Sequence, residues 1–158
     1  MLSDRPPPTG EPSFYRSLAQ PGARLDAAAA MSMISGYRRN NGLSSVVLDP
    51  ALMRIAADHA NAMAAHNKMD HNVAGRGFID RYKGSGFRGK FAVENVGAGY
   101  HTLAEAFSGW RDSPGHRANM LRRGATHMGI AAVYAPNTKY KVFWCLVLAA
   151  EDEEERRS

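Results

Sequence analysis

The spacing of apolar residues predicts two long helices near the start of the chain. In the first, apolar side chains recur at helical intervals from Ala27 to Tyr37, and Asn41 followed by Gly42 provides a stop. The second opens with Asp49 as N-cap and Pro50 at the first helical position, where the missing N–H of proline costs nothing. One helix is therefore expected to end near Asn41 and the next to begin at Pro50.

The second helix carries two histidines on its apolar stripe. The stripe consists of Leu52, Ile55, Ala56, His59, Met63 and His66. His59 and His66 are seven residues apart, which is two helical turns and exceeds the usual reach of two ligands of one metal ion. We therefore interpret both as partly buried helix residues.

Two apolar runs near the C-terminus predict a β-hairpin. The sequences HMGIAAVYA and YKVFWCLVLAA are joined by the short polar stretch PNTK. Both runs are apolar on both faces, which is typical of a strand covered on each side. The hairpin is therefore expected to lie in a sheet with helices on both faces.

Three shorter helices are predicted between these regions. One lies at Phe78 to Tyr82, inside a long glycine-rich basic loop that starts at Asp70. The sequence TLAEAFSGWRD reads as a helix capped by Thr102. The sequence SPGHRANML reads as another, with Ser113 as N-cap and Pro114 at its first position. The Ser113 hydroxyl is expected to accept a hydrogen bond from an amide of the first turn.

Several single residues have simple structural interpretations. We expect Trp110 to be buried between the two short helices and the hairpin, and Glu105 to lie on a solvated helix face. Cys145 is the only cysteine, which excludes an intrachain disulfide, and its apolar neighbours predict a buried strand position. His101 and His127 lie in a loop and at a strand start with no obvious acidic partner.

The ends of the chain differ in composition from its middle. Residues 1–23 are rich in Pro, Ser and Gly and are expected to form an extended leader. With 158 residues, 44% of them hydrophobic, the chain predicts one domain, which we place at residues 24–150. Residues 151–158 form an acidic tail that is expected to be disordered.

The charge of the chain favours anionic partners. The formal net charge is +5, and the tail carries five acidic and two basic residues, so the rest of the chain is more basic still. This balance fits phospholipid or acidic glycan surfaces. Nucleic acid is not favoured, because no aromatic residues are interleaved with the basic ones in a recognisable motif. The sequence shows neither a stretch of transmembrane length nor a signal peptide pattern.

Polar residues in apolar or glycine-rich surroundings form an ordered set along the chain. They are His71 in MDHN, Glu94 in VENVGAG and His116 in SPGHRANML, together with Trp110 after a glycine and the final VFWCLVL. In this order they resemble the CAP superfamily, which comprises cysteine-rich secretory proteins, antigen 5 and pathogenesis-related 1 proteins. The similarity is to its bacterial SCP-like branch and spans roughly residues 29–148.

The resemblance implies an α+β fold, the three-layer α-β-α sandwich of the CAP type. It also implies a central cleft, in which His71 matches the first histidine of the family, Glu94 the first glutamate and His116 the second histidine. Ser113 stands where many eukaryotic members have another glutamate. The matched residues imply weak binding of Zn²⁺ or another divalent cation by His71, His116 and Glu94, and a secreted, periplasmic or envelope-tethered location.

Two classes of function follow from this cleft. The first is a binding protein for lipid, sterol or cell-wall glycan. The second is a metal-dependent hydrolase or protease with His71, Glu94 and His116 as candidate catalytic residues. We favour binding, because no second carboxylate is evident to act as base once Glu94 holds the cation.

Two other hydrolase classes fit the sequence poorly. A serine hydrolase lacks its G-x-S-x-G turn, and a serine and a histidine three residues apart in one turn are rarely aligned for catalysis. The H-E-x-x-H motif of zinc peptidases does not occur at His59 or His66.

Overall fold

The structure is a computed structural model in which residues 12–152 are described. Within this range the helices are α1 (Ala27–Asn40), α2 (Pro50–His66), α3 (Phe78–Lys83), α4 (Leu103–Arg111) and α5 (Pro114–Met120). The strands are β1 (Val47–Leu48), β2 (Gly89–Ala98), β3 (His127–Ala135) and β4 (Lys141–Glu151). The predicted helices and the predicted hairpin are all confirmed.

The strands form one mixed sheet with the order β1-β3-β4-β2. The β3–β4 hairpin is antiparallel, β2 runs antiparallel to β4 along the other side, and β1 adds a short parallel pairing to β3. Strand β2 was not predicted, because its glycines and its glutamate hide the alternation of a strand. It lies at the edge of the sheet, with Glu94 opposite Val147.

Strand β4 separates two apolar cores. Its side chains alternate, so that Trp144, Leu146 and Leu148 face a core that also contains buried residues of α1, α4 and α5. Phe143, Cys145 and Val147 face a second core that contains the buried stripe of α2. The three-layer α-β-α sandwich is confirmed, and Cys145 is buried in the strand as expected.

Helix starts are fixed by the side chains that the sequence indicates. The carboxylate of Asp26 accepts a hydrogen bond from the backbone N–H of Ala29, and that of Asp49 accepts one from Leu52, both at 3.0 Å. Thr102 and Glu105 form a reciprocal capping box at the start of α4. Glu105 is exposed as predicted, but its carboxylate also accepts hydrogen bonds from the backbone N–H groups of His101 and Thr102.

The predicted leader is shorter than expected. Residues Ser13–Tyr15 form a single 3-10 turn, and Leu18 is buried in the core on the α1 side of the sheet. The backbone N–H of Leu18 donates to the carbonyl of His101 at 2.6 Å. Contacts with the core therefore begin before residue 24, because Leu18 is buried there and Phe14, Ala19 and Ala23 pack against it. Residues 1–11 of the leader lie outside the described residues.

The C-terminal boundary also needs a small correction. Glu151 is the last residue of β4, and the backbone N–H of Asp152 donates to the carbonyl of Arg88 at 3.0 Å. The ladder therefore continues into the first residues assigned to the tail, while residues 153–158 lie outside the described range. No helix within residues 12–152 has the length and apolar character needed to cross a membrane.

Trp110 has the buried position that the sequence predicts. Its side chain is 2% exposed, its indole N–H donates to the carbonyl of Val96 at 3.2 Å, and its ring packs edge-on against Trp144. We expect Trp110→Ala to lower the free energy of unfolding by about 3–5 kcal/mol, because it leaves a cavity between the layers. Denaturant unfolding measures this, with the exposed Tyr15→Ala as control. A loss below about 1 kcal/mol would contradict the burial.

Candidate functional site

The predicted site residues come from three elements that meet around the edge strand β2. Glu94 lies within β2, His71 lies in the loop after α2, and His116 lies in the first turn of α5. Consecutive residues of a strand point to opposite faces. Glu94 accordingly contacts Cys145 in the core on the α2 side, whereas Asn95 contacts α5. Loops from both helical layers therefore reach the same sheet edge.

Glu94 is the centre of a buried hydrogen-bond cluster. Its side chain is 1% exposed. Oε1 accepts from His71 Nδ1 and Arg81 Nη2, and Oε2 accepts from Arg81 Nη1, each at 2.8 Å. Oε2 also accepts from Cys145 Sγ at 3.2 Å. Both carboxylate oxygens are thus fully engaged by groups of the protein.

Arg81 is a central site residue that the sequence analysis missed. It lies on α3, is 7% exposed, and also donates from Nη2 to the backbone carbonyl of His71 at 2.8 Å. The guanidinium therefore ties the His71 loop to strand β2. A sequence signal existed, because Phe78, Arg81 and Tyr82 share one face of the predicted short helix, which places the arginine among apolar side chains.

The hydrogen bonds of the cluster lower the pKa of Glu94 and raise that of His71. Burial by itself raises the pKa of Glu94, but hydrogen bonds from His71 and Arg81 and the charge of Arg81 outweigh it and lower that pKa to about 2. The hydrogen bond to Glu94 raises the pKa of His71 above its usual 6.5, against the opposing effect of burial. Glu94 is therefore ionised at neutral pH, and His71 keeps its proton to higher pH than a free histidine.

His116 has the opposite tendency. Burial lowers the pKa of His116, and the positive charge of the nearby His71 lowers it further. A lowered pKa favours the neutral imidazole. The backbone carbonyl of His116 accepts from Asn95 Nδ2 at 3.0 Å, which ties α5 to β2. The two histidines thus lie at one edge with pKa values shifted in opposite directions.

Ser113 does not act as predicted. It precedes α5 with N-cap geometry, but its side chain makes no capping hydrogen bond. Instead its Oγ lies 2.8 Å from Nδ1 of His116, so the serine and histidine of this turn are aligned after all. Among the described residues no carboxylate is hydrogen-bonded to His116, so the third member of a serine-hydrolase triad is missing.

Asn119 and Asn95 hold the α5 side of the site. Asn119 Nδ2 donates to the Asn95 side-chain oxygen at 2.9 Å and to the Glu94 carbonyl at 3.2 Å. Sequence reasoning did not single out these asparagines, because their partners are separated from them by a loop and a helix. They keep His116 beside the same strand that holds Glu94.

The remaining histidines lie outside the cleft. His59 is buried on α2, as expected, and its Nε2–H donates to the Asp70 carbonyl at 2.7 Å, which anchors the loop next to His71. His66 is exposed, so its predicted partial burial is wrong; the stripe ends one turn earlier, at Met63. Nδ1 of His127 lies 2.7 Å from the hydroxyl of Thr126.

The arrangement does not fit the implied three-ligand metal site. The described part of the chain contains no group of three or more His, Cys, Asp or Glu side chains placed to hold a metal ion. Arg81 engages both oxygens of Glu94, and Nδ1 of His71 points at the same carboxylate. Zinc binding by His71, His116 and Glu94 stays a prediction, and it requires Arg81 to leave Glu94.

Comparison with known proteins defines the class. The family described as the cysteine-rich secretory protein family, CAP, matches residues 31–148. This covers most of the chain, so the protein belongs to that family. The three-layer fold agrees with this assignment.

Proteins similar to this chain occur in bacteria. The uncharacterized protein YkwD of Bacillus subtilis strain 168 is 27% identical over 132 residues, which are 83% of this chain and 51% of YkwD. This chain thus spans about half the length of that relative. An extracellular SCP-domain protein of Bacillus anthracis has a TM-score of 0.68 at 22% identity, over 78% of this chain and 40% of its own. An outer surface protein of Borrelia burgdorferi has a TM-score of 0.71 at 17% sequence identity. The match covers 83% of this chain and 99% of that protein.

Replacing Glu94 tests the buried cluster. We expect Glu94→Gln to destabilise the fold by about 3–5 kcal/mol near neutral pH, because it leaves the charge of Arg81 buried without its partner. The folded pKa of about 2 lies below the reference 4.5, so the stabilisation by Glu94 is present above pH 4.5 and is lost as pH falls towards 2. Denaturant unfolding at several pH values measures both effects.

The control for this variant is Asp112→Asn, which breaks the exposed pair with Arg111. A surface pair contributes about 0–1 kcal/mol, so the control should change stability little. Equal costs for the two substitutions would contradict the buried cluster.

A second prediction concerns the two cleft histidines. We expect NMR titration to give a pKa above 6.5 for His71 and below 6.5 for His116. In Glu94→Gln the pKa of His71 should fall, because the hydrogen bond to that carboxylate is the main reason that it is raised in the wild type. Identical titration of both histidines in the wild type would show that they do not share this environment.

Proposed function

We propose that the protein is a binding domain that acts outside the cytoplasm and takes up an anionic group at the edge of β2. The observation that carries this proposal is that both carboxylate oxygens of Glu94 already accept hydrogen bonds from Arg81 or His71. The negative charge of the cleft is neutralised internally. What remains accessible is His71, whose side chain is 52% exposed and whose proton affinity is raised.

The loop that carries His71 adds to the positive charge. Residues 70–90 contain five basic and two acidic residues, and Arg76 and Lys83 among them are exposed. A surface of this kind attracts phosphate and carboxylate groups. Because His71 is charged more fully at lower pH, binding should strengthen as the pH falls through the range in which His71 titrates.

Phosphate and carboxylate groups of this kind occur on anionic lipids and on acidic cell-wall glycans. An uncharged sterol would use none of these positive groups, so we favour an anionic ligand over a sterol. The proposed location rests on the similar structures described as extracellular or outer surface proteins.

Metal-dependent hydrolysis is the second candidate of the sequence analysis, and the cleft supports it less well. Such a reaction needs a cation with an open position and a free base. The ionised, fourfold hydrogen-bonded Glu94 is not free to collect a proton. No observation within residues 12–152 favours this candidate over binding.

Binding measurements test the proposal directly. The probes are phosphatidylglycerol vesicles and an acidic cell-wall glycan, each compared with uncharged phosphatidylcholine vesicles at low salt. We expect the protein to prefer one of the anionic probes and His71→Ala to weaken that binding about fivefold, the effect of one surface charge of about 1 kcal/mol.

His66→Ala is the matched control, since it removes an exposed histidine that lies on α2 outside the cleft. It should bind like the wild type. Equal affinity for charged and uncharged probes, or equal losses in the two variants, would contradict an anion site at His71.

A further inference from the structure

The guanidinium of Arg81 lies among three oxygen atoms. Nη1 donates to Glu94 Oε2, and Nη2 donates to Glu94 Oε1 and to the backbone carbonyl oxygen of His71, each at 2.8 Å. Carboxylate and carbonyl oxygens converging on one point are the ligands that divalent cations use in proteins. The positive head of the arginine therefore fills the place that a cation bound to Glu94 would take.

We propose that Arg81 is a built-in substitute for a metal ion, which closes Glu94 to divalent cations and holds the His71 loop on strand β2 without one. This differs from the metal site that the family resemblance implies. It concerns the charge of the buried cluster and does not depend on which anionic ligand the exposed surface binds.

Arg81 cannot give way to a cation as a histidine can. A histidine ligand loses its proton when metal binds, so metal and proton compete on equal terms. A guanidinium group, by contrast, carries a permanent positive charge in proteins. Displacing it would leave a buried positive charge without its partner, which is strongly unfavourable. Metal ions must therefore bind very tightly to replace it.

The arginine also supplies the cross-link that a metal would provide. One terminal nitrogen bonds both the His71 carbonyl and Glu94, so the loop after α2 is joined to β2 through a single side chain. The nitrogen next to its aliphatic stem has no partner among the described residues, so every hydrogen bond of Arg81 serves this link. The wild-type fold is thus expected to be insensitive to chelators.

A cavity offers access to this position once the arginine is shortened. It has a volume of about 220 Å³ and is lined by Arg81 together with Ile55, Asp58, Arg76 and Gly84. The cavity borders Arg81, so shortening this side chain would extend the cavity toward the carboxylate that the guanidinium now covers. Removing the guanidinium should therefore create a metal site, which is a gain of binding and not only a loss of structure.

The test is calorimetric titration of the folded chain with zinc chloride and manganese chloride. We expect Arg81→Gln to bind one equivalent of at least one ion about tenfold or more tightly than the wild type. Arg81→Gln/Glu94→Gln should lose this gain, because the carboxylate is gone. Arg76→Gln is the matched control, since it removes an exposed arginine that lines the same cavity, and it should behave like the wild type.

Thermal unfolding with and without the ions keeps the test decisive if the variant is unstable. Metal that binds only the folded state raises the melting temperature, so Arg81→Gln and Arg81→Ala should be rescued by the ion and the double variant should not. The proposal is overturned if the wild type binds an ion that Glu94→Gln loses. It is equally overturned if neither Arg81 variant exceeds the double variant in binding or in rescue.

Discussion

The paired hydrogen bonds between Arg81 and Glu94 connect three parts of the molecule through one buried ion pair. Glu94 belongs to the sheet, Arg81 to a six-residue helix, and the same guanidinium reaches the loop that carries His71. A helix this short has little stability of its own, and a long glycine-rich loop gains little from burial. Their position in the cleft therefore depends on this buried ion pair.

The position of β2 at the sheet edge gives the site its second constraint. In a central strand, Glu94 and Asn95 would each face one helical layer with no route between them. At the edge, the loop after α2 and the start of α5 approach the same stretch of strand, one through Glu94 and the other through Asn95. The two histidines are brought together by the edge of the sheet, because each layer contacts the same strand there. Their pKa values shift in opposite directions, because His71 is hydrogen-bonded to a carboxylate, whereas His116 is partly buried and lies near the charge of His71.

The features that the sequence predicts well are those decided by near neighbours. Asp26, Asp49 and Thr102 cap helices through amides three residues away, and the alternating strands of the hairpin are apolar enough to be recognised alone. Arg81 and β2 were missed for the opposite reason. The arginine is buried because of a glutamate in another layer, and β2 is a strand because β4 lies beside it. Ser113 shows the same limit, since its hydroxyl contacts His116 rather than the amide that local rules favour. The family resemblance singles out His71, Glu94 and His116 as candidates, but it does not reveal that Arg81 engages the glutamate.

The order of the strands has a consequence for the way this domain forms. Strands β2 and β3 do not pair with each other, and both depend on β4, which is the last strand of the described chain and is buried along nearly its whole length. Before Lys141–Glu151 emerges from the ribosome, the preceding segments have no common sheet and no partition between the two cores. Folding therefore cannot proceed progressively from the N-terminus, and contacts distant in sequence must form together. The nascent domain remains open until synthesis has passed β4, and it then closes around its final strand.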